Sequence, residues 1–343
     1  QQWSFDVQRE VAPGWIFDIG YYGNNGVHLP GFYDFNQPAI GSYLNCTDAT
    51  PCISGPNAIS FQHNVTINGV STPVVAVDTS NTNKLNVLRP YVGLSGAQGF
   101  REIYTSNYNG LQSQLQKQFK GNTLVNISYT WSHTLTTYQA DRTTGSIMPL
   151  QGHIRDYNYG PGVGDRRHVV TGNFVWDIPW YREQKGVIGH ILGGWQLSGV
   201  QTFQTGLPAT IASNASYDPT GAGCLGPSPC SFRANQVGDP NANAPEKYTG
   251  WFNASAFTNP TYGQTTLPAS RPGAVRLPGW WRTDLGAFKN MKFTERFSGQ
   301  LRMETFNTFN HLNPICCGSF TTSSTLYNQV TSARDPRQVQ VGM

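Results

Sequence analysis

The chain has 343 residues, with only 12% charged and 13% aromatic side chains, 37 glycines, 22 prolines and a net charge of +4. Soluble proteins usually carry about 25% charged residues, so this balance disfavours a helical bundle and favours many strands joined by irregular loops. No stretch reaches the roughly 18 apolar residues of a transmembrane helix, and no Lys/Arg cluster is available for nucleic acid.

Alternation of apolar and polar residues with a period of two recurs along the chain and predicts nine strands. Four pairs come first, and a ninth strand begins near Arg337. The pairs are 3–11 with 15–23, 107–119 with 123–135, 166–178 with 195–204, and 281–292 with 297–309. The third pair has a longer connector, 179–194, whose apolar residues predict a segment lying along a membrane interface.

The second pair has the clearest pattern. One face carries Leu111, Leu115, Val125, Ile127, Tyr129 and Trp131, and the other carries Gln112, Gln114, Gln116, Asn126, Ser128 and Thr130. A soluble sandwich could also alternate in this way, but its water-facing surface would normally hold more Lys and Glu. Uncharged polar groups suit a wet lumen, so we expect the apolar face to meet lipid.

Long connections separate the pairs, at about 24–104, 136–165, 206–280 and 312–335, and they contain every cysteine. Outer-membrane barrels have short periplasmic turns and longer extracellular loops. We therefore predict an all-β fold: an antiparallel up-and-down transmembrane β-barrel segment of about nine strands of a larger barrel, with long extracellular loops.

Three basic residues lie on the predicted lipid face: Arg9, Lys117 and Lys289. Each precedes its short turn by four or five positions, at Pro13, Gly121 and Thr294 respectively. A cation costs about 0–1 kcal/mol near a membrane interface, against about 2–4 kcal/mol at the midplane. Their positions therefore agree with a periplasmic side at the short turns.

The cysteines fall into local pairs. Cys46 with Cys52 and Cys224 with Cys230 share a five-residue gap in loop-like sequence, which predicts two small disulfide loops in an oxidising compartment. Reduced thiols in loops are the alternative. Cys316 and Cys317 are adjacent, a spacing that does not suit zinc, so no metal site is predicted.

Six segments together resemble the barrel of large TonB-dependent outer-membrane receptors, in the subgroup with a carboxypeptidase-regulatory-like amino-terminal domain. They are 106–112 (SNYNGLQ), 128–132 (SYTWS), 164–168 (GDRRH), 194–199 (GWQLSG), 304–311 (ETFNTFNH) and 333–338 (ARDPRQ). The likeness covers essentially the whole chain and lies in the order and spacing of these segments.

The resemblance implies roughly 22 strands around a plug, the outer membrane of a Gram-negative bacterium, and ligand uptake energised through TonB. Nine strands cannot close such a barrel, the plug and the TonB-contacting segment are missing, and the last strand stops at Met343 without the usual terminal aromatic. We therefore expect residues 1–343 to be the carboxy-terminal part of the barrel.

Ligand contacts, for a peptide or a carbohydrate, are expected from aromatic residues of the loops. The candidates are Tyr43, Phe61, Tyr91, Phe100, Tyr138, Tyr157, Tyr159, Trp251 and Phe252. The alternative is that these side chains pack within the loops themselves. A lumen network against the plug is expected from Arg166, Arg167, Arg302 and Glu304.

No catalytic constellation is found, and no cofactor is predicted, because Gly160–Pro161 and its glycine-rich neighbours lack the Lys and helix of a phosphate loop. The expected partners are outer-membrane lipid, TonB and the ligand. A second function stays open: a released β-rich fragment acting as a surface adhesin or extracellular assembly subunit, associating through its strand edges.

Overall fold

The structure is a computed structural model that describes residues 1–39, 41–42, 63–67, 70–74, 89–92, 94, 97–119, 123–138, 154–213, 232–261, 270–294 and 296–343. Among these residues, nine strands follow one another across the main sheet, and a tenth, Gly160–Pro161, pairs with the end of the strand Thr123–Thr136. The nine strands are β1 (Gln2–Ala12), β2 (Trp15–Asp34), β3 (Gln98–Phe119), β4 (Thr123–Thr136), β5 (His168–Asp177), β6 (Trp195–Gln204), β7 (Trp280–Lys292), β8 (Ser298–Phe306) and β9 (Gln338–Gly342). In the described part of the chain, two short α-helices, α1 (Ile154–Asn158) and α2 (Gly186–Leu192), and a 3-10 helix, Ala254–Ala256, lie in the connections.

The nine strands pair in chain order, each antiparallel to the next, so the sheet is an up-and-down meander. This confirms the predicted fold class and strand count. The connections after β1, β3, β5 and β7 meet at one end of the sheet, here called the turn end, and those after β2, β4, β6 and β8 meet at the loop end. Within the described ranges, no helix is long and apolar enough to cross a membrane.

The strand register places apolar side chains on one face of the sheet. One row crosses seven strands through Val7, Ile19, Ser113, Tyr129, Val170, Phe203 and Trp281. Large side chains on this face are exposed, as Phe5 at 72% and Val341 at 67% illustrate. A sheet that turns its apolar face outward is stable only where that face meets lipid or another apolar surface.

Two strands are longer than the alternation predicts. β2 continues to Asp34 and β3 begins at Gln98, so the predicted connection 24–104 is too long at both ends. The register shifts near Gly26, Leu29 and Pro30, and such bulges interrupt the alternation on which the prediction rests. A separate hairpin, His63–Ile67 with Val70–Val74, also lies inside that predicted connection.

The end of β8 is also earlier than predicted, at Phe306 instead of residue 309. Asn307 adopts a positive φ of 51°, a conformation that ends a strand. Its backbone N–H donates to Asp284 Oδ1 at 2.8 Å, and its side-chain amide donates to the carbonyls of His311 and Asp335. β8 therefore ends at an asparagine whose hydrogen bonds hold the loop that follows it.

The connections after β6 and β8 build a small apolar core at the loop end. Its buried members are Ala209, Ile211, Ala234, Phe252, Ala256, Phe257 and Val275. Short antiparallel ladders frame this loop core, among them Pro208–Ala209 with Val275–Arg276 and Asn235–Gln236 with Phe257–Thr258. These long connections are thus folded structure with an interior of their own.

Two of the basic residues on the apolar face are bonded to neighbouring connections. Lys117 Nζ donates to the Pro13 carbonyl at 3.3 Å and lies 4.9 Å from the centre of the Trp15 ring. Lys289 Nζ donates to the carbonyls of His190, Ile191 and Gly193 at the carboxy-terminal end of α2. A cation suits that end of a helix, where the carbonyls are unsatisfied.

Replacing Lys289 with methionine should loosen the connection that contains α2. Lys289 is buried, so the loss leaves three carbonyls without their charged donor and costs about 2 kcal/mol locally. We expect faster trypsin cleavage at Arg182 and Lys185 in the membrane-inserted protein. Lys292→Met, an exposed change on the same strand, is the control and should leave cleavage unchanged; equal rates in both variants would contradict the capping role.

Candidate functional site

The face opposite the apolar band is polar across the sheet. A single row joins Gln8, Asp18, Gln114, Ser128, Thr171, Thr202 and Arg282 on seven strands. Side chains bond to one another on this face, since Gln114 donates to Asn126 at 2.9 Å and Gln196 donates to Asp177 at 2.6 Å. Such a surface can line a wet interior and offers many uncharged donors and acceptors to a passing solute.

The four residues of the predicted lumen network form two separate groups. Arg302 and Glu304 lie on β8, in register with Phe288 and Gly286 near the middle of β7. Arg166 and Arg167 directly precede β5 and lie at the loop end. The ion pair that the structure places on the polar face is a different one, Arg282 Nε to Asp284 Oδ1 at 2.6 Å.

Asp165 is the centre of an ionic cluster at the loop end. It is 1% exposed, and its carboxylate accepts the Thr134 backbone N–H at 2.6 Å and pairs with Arg167 at 3.4 Å. It also pairs with Arg276, which donates to the Asp165 carbonyl at 2.9 Å. One carboxylate therefore joins β4, the start of β5 and the connection before β7.

Arg233 ties α1 to the loop core. Its guanidinium is buried, lies 3.5 Å from the centre of the Tyr157 ring, and donates to the carbonyls of Tyr157 and Ser270 and to Asn158 Oδ1. Burial raises the pKa of Tyr157, so the phenol stays protonated while its oxygen accepts the Arg233 backbone N–H at 3.3 Å. This arrangement positions α1 beside the loop core.

Two predicted ligand-contacting aromatics lie inside the loops. Tyr157 and Phe252 are 2% and 3% exposed, which corrects the expectation that they present surface to a ligand. Trp251 packs against the loop core and donates its indole N–H to the Arg276 carbonyl, and Tyr138 packs on Tyr104 with ring centres 4.6 Å apart. Packing within the loops, the alternative reading of these residues, fits all four.

The other predicted aromatics have different positions. Tyr91 and Phe100 are exposed at the loop end, where they stay candidates for ligand contact. Tyr159 follows α1 and borders the cavity described next. Tyr43 and Phe61 lie outside the described residues, as do Cys46, Cys52, Cys224 and Cys230 of the two predicted disulfides.

A cavity of about 620 Å³ lies at the loop end between β2, β3 and α1. Its lining includes two exposed guanidinium groups, Arg101 and Arg155, together with Tyr159. Polar side chains complete much of the wall, namely Asn25, Asn107, Thr105, Ser106 and Thr137. Its size falls in the range of small-molecule sites, and its arginines favour an anionic group.

No sequence pattern indicates several of the residues that organise this region. Arg276 and Arg233 sit in a long connection without alternation, and their partners are 111 and 75–76 positions away. Asp165 lies in one of the segments quoted above, although its role as an ionic centre has no local signal. Cys316 and Cys317 are disulfide-bonded to each other, and Cys317 packs against the loop core.

The sequential hairpins, the exposed apolar face and the polar opposite face define an outer-membrane β-barrel protein. The sequence profile described as "Outer membrane beta barrel domain" matches residues 1–340. The chain belongs to this family and is located in the outer membrane.

Comparisons with curated sequences and with solved structures give less information than the family match. No curated protein sequence matches this chain. Among solved structures, the outer membrane transporter YddB from Escherichia coli is similar over 99% of this chain, with 9% sequence identity and a TM-score of 0.43. The chain spans 31% of that transporter's chain.

Proposed function

We propose that this chain is the carboxy-terminal part of the barrel of a TonB-dependent receptor, which binds a ligand at the cell surface and takes it up across the outer membrane of a Gram-negative bacterium. The loop end faces outward and the turn end faces the periplasm. TonB acts through parts of the receptor outside this chain. The observation that carries the proposal is the combination of a continuous polar sheet face with a folded loop layer that borders a cavity, whose lining joins arginine, asparagine and threonine side chains with Val27 and Ile103.

The two outer strands support the placement within a larger barrel. In the described residues, β1 pairs with β2 alone and β9 with β8 alone, so each presents one open edge. Unpaired backbone N–H and C=O groups are costly in lipid, where no water can satisfy them, and membrane-spanning sheets therefore close. Further strands of the same receptor are the partners that would close this one.

The folded loop layer favours a receptor over a plain pore. A ligand receptor needs loops that present side chains in fixed positions. Here Asp165, Arg276 and Arg233 connect the loops to one another and to the sheet. The cavity beside α1 is our candidate for first ligand contact, and Arg155 suits a peptide or carbohydrate that carries carboxylate groups.

Replacing Arg155 with alanine should weaken ligand capture while leaving assembly intact, because Arg155 is exposed at the cavity wall. The full receptor in detergent would be applied to arrays of acidic and neutral oligosaccharides and peptides. We expect acidic members to bind and Arg155→Ala to lower their affinity by about tenfold. Arg296→Ala, an exposed arginine at the turn end, is the control and should bind like the unchanged protein; binding that ignores Arg155 would remove the cavity from the proposal.

Energised uptake has its own test. Cells expressing the receptor should accumulate a labelled array ligand only when TonB and the proton gradient are both present. Accumulation that continues without TonB would contradict energised uptake and indicate a passive channel instead. Recovery of the chain from washed extracellular material, without detergent, would instead favour the adhesin or assembly role through its strand edges.

A further inference from the structure

The connection between β5 and β6 carries a set of exposed apolar side chains at the turn end. Its helix α2 exposes Val187, Ile188, Ile191 and Leu192, with Val187 at 77%. At 3.6 residues per turn these four cover one side of the helix, whereas the buried Gly189 and the exposed His190 fall on the other. Trp180 and Tyr181, just before the helix, are also exposed.

This segment is held in place rather than hanging loose. The buried Gln184 donates to the Asn290 carbonyl at 2.9 Å and accepts the Lys292 backbone N–H at 3.1 Å. Lys289 caps the carboxy-terminal end of α2, and the Trp195 indole donates to the Ile191 carbonyl at 3.0 Å. Six hydrogen bonds with β6 and β7 therefore fix which side of the helix faces out.

The exposed side of the segment continues the apolar face of the sheet. Trp176, on that face near the end of β5, contacts Trp180 with ring centres 6.4 Å apart. Lys289 and Trp195, which hold the helix, lie on the same face of β7 and β6. Charged residues flank the apolar ones, and Glu183 pairs with Lys185 at 2.6 Å in full exposure to solvent. Tryptophan and tyrosine beside charged groups are typical of a membrane–water interface.

We propose that residues 178–194 dock on the phospholipid surface at the turn end, with α2 parallel to the membrane and its aliphatic side among the headgroups and upper acyl chains. Phospholipid is the occupant because the patch is continuous with the face that already meets lipid. A short helix that presents an apolar side can lie on such a surface in this orientation. The segment then fixes the depth of this part of the barrel in the membrane.

Trp180 is a native reporter for this contact. The full protein would be reconstituted in phosphatidylethanolamine and phosphatidylglycerol vesicles that contain lipids brominated near the top of the acyl chain, and the emission of Trp180→Phe subtracted from that of the unchanged protein. We expect brominated lipid to remove at least about half of the Trp180 contribution. Trp251, packed at the loop core, is the matched control, and Trp251→Phe should reveal a contribution that brominated lipid leaves intact.

A charge on the helix provides the second readout. Val187→Glu should reduce the brominated-lipid quenching of Trp180 by about twofold or more, since a carboxylate is expelled from the apolar boundary. Val237→Glu makes the same change at an exposed valine of the loop end and should leave that quenching unchanged. Quenching of Trp180 by aqueous iodide alone would overturn the proposal, because the segment would then lie in water. Protection from both quenchers would overturn it as well, because a protein would cover the segment.

Discussion

Replacing Ile127 with lysine is expected to abolish insertion of the protein into the outer membrane. Ile127 lies on the apolar face of β4, in register with Leu115 on β3 and Gly172 on β5, and its side chain is 47% exposed. It stands in the middle of the apolar run that extends from Val125 to Trp131. A lysine at this depth costs about 2–4 kcal/mol. Because the strands of a barrel insert together, this cost in one strand prevents insertion of the whole barrel.

The basic residues already on this face explain why the position matters more than the charge. Lys117 lies one row nearer the turn end than Leu115 and reaches the Pro13 carbonyl. A lysine at position 127 stands one row farther from the turn end than Lys117, with Leu115 and Gly172 as its partners in the neighbouring strands. Its only routes to water are along the strand, through apolar neighbours.

Ser128→Lys is the matched control for this variant. Ser128 is adjacent in sequence but lies on the polar face, between Gln114 and Thr171. The same charge placed there should remain in contact with water, and outer-membrane extraction should recover normal amounts of folded protein. Heat-modifiable migration of the folded protein is the measurement. Normal assembly of Ile127→Lys, or failure of both variants, would contradict the assignment of faces.

Replacing Asp165 with asparagine is expected to release the loop layer while the strands stay paired. The change removes the buried negative charge shared by Arg276 and Arg167. Breaking a fully buried ion pair costs about 3–5 kcal/mol, but both arginines are about one-third exposed, so we expect about 2 kcal/mol after solvent screening. Asparagine keeps an oxygen for the Thr134 N–H, which confines the loss to the charge.

Hydrogen exchange of the membrane-inserted protein measures this effect. Backbone amides of 205–213 and 270–279 should exchange about 30-fold faster in Asp165→Asn, since local opening governs exchange in such units. The exchange rates of β3 and β4 amides on the turn-end side of Thr134 should not change. Glu183→Gln removes one carboxylate from an exposed ion pair with Lys185 and is the control, because exposed pairs contribute little. Unchanged exchange in Asp165→Asn would show that the cluster does not hold the loops.

The strands were predictable because their signal is local. In 123–135, Val125, Ile127 and Tyr129 alternate with uncharged polar residues. The alternation reflects two environments, because each residue of a spanning strand faces either lipid or water. Seven of the nine strands follow this rule closely in the structure, and β2 and β3 are the exceptions. The alternation fails at Gly26 to Pro30, where bulges let β2 and β3 continue with glycine, asparagine and proline in the pairing.

The loop layer was not predictable in the same way. Tyr157 and Phe252 are aromatic residues in long polar connections, and nothing nearby distinguishes an exposed anchor from a buried one. Phe252 is buried because Phe257 and Tyr327 pack against its ring, and Asn328, 76 positions away, bonds its backbone N–H. The contacts that decide these positions join segments far apart in the chain.

The sequence by itself determined the class of fold, the succession of the nine strands, the face that meets lipid and the end at which the long loops gather. Each of these follows from the solvent that surrounds individual residues, a property written in local composition and periodicity. The tertiary structure alone decided that Asp165 joins Arg276 and Arg167, that Arg233 stacks on Tyr157 and that Lys289 caps α2. Those contacts depend on chain segments meeting in space, and the pairing of the strands is what brings these distant segments together.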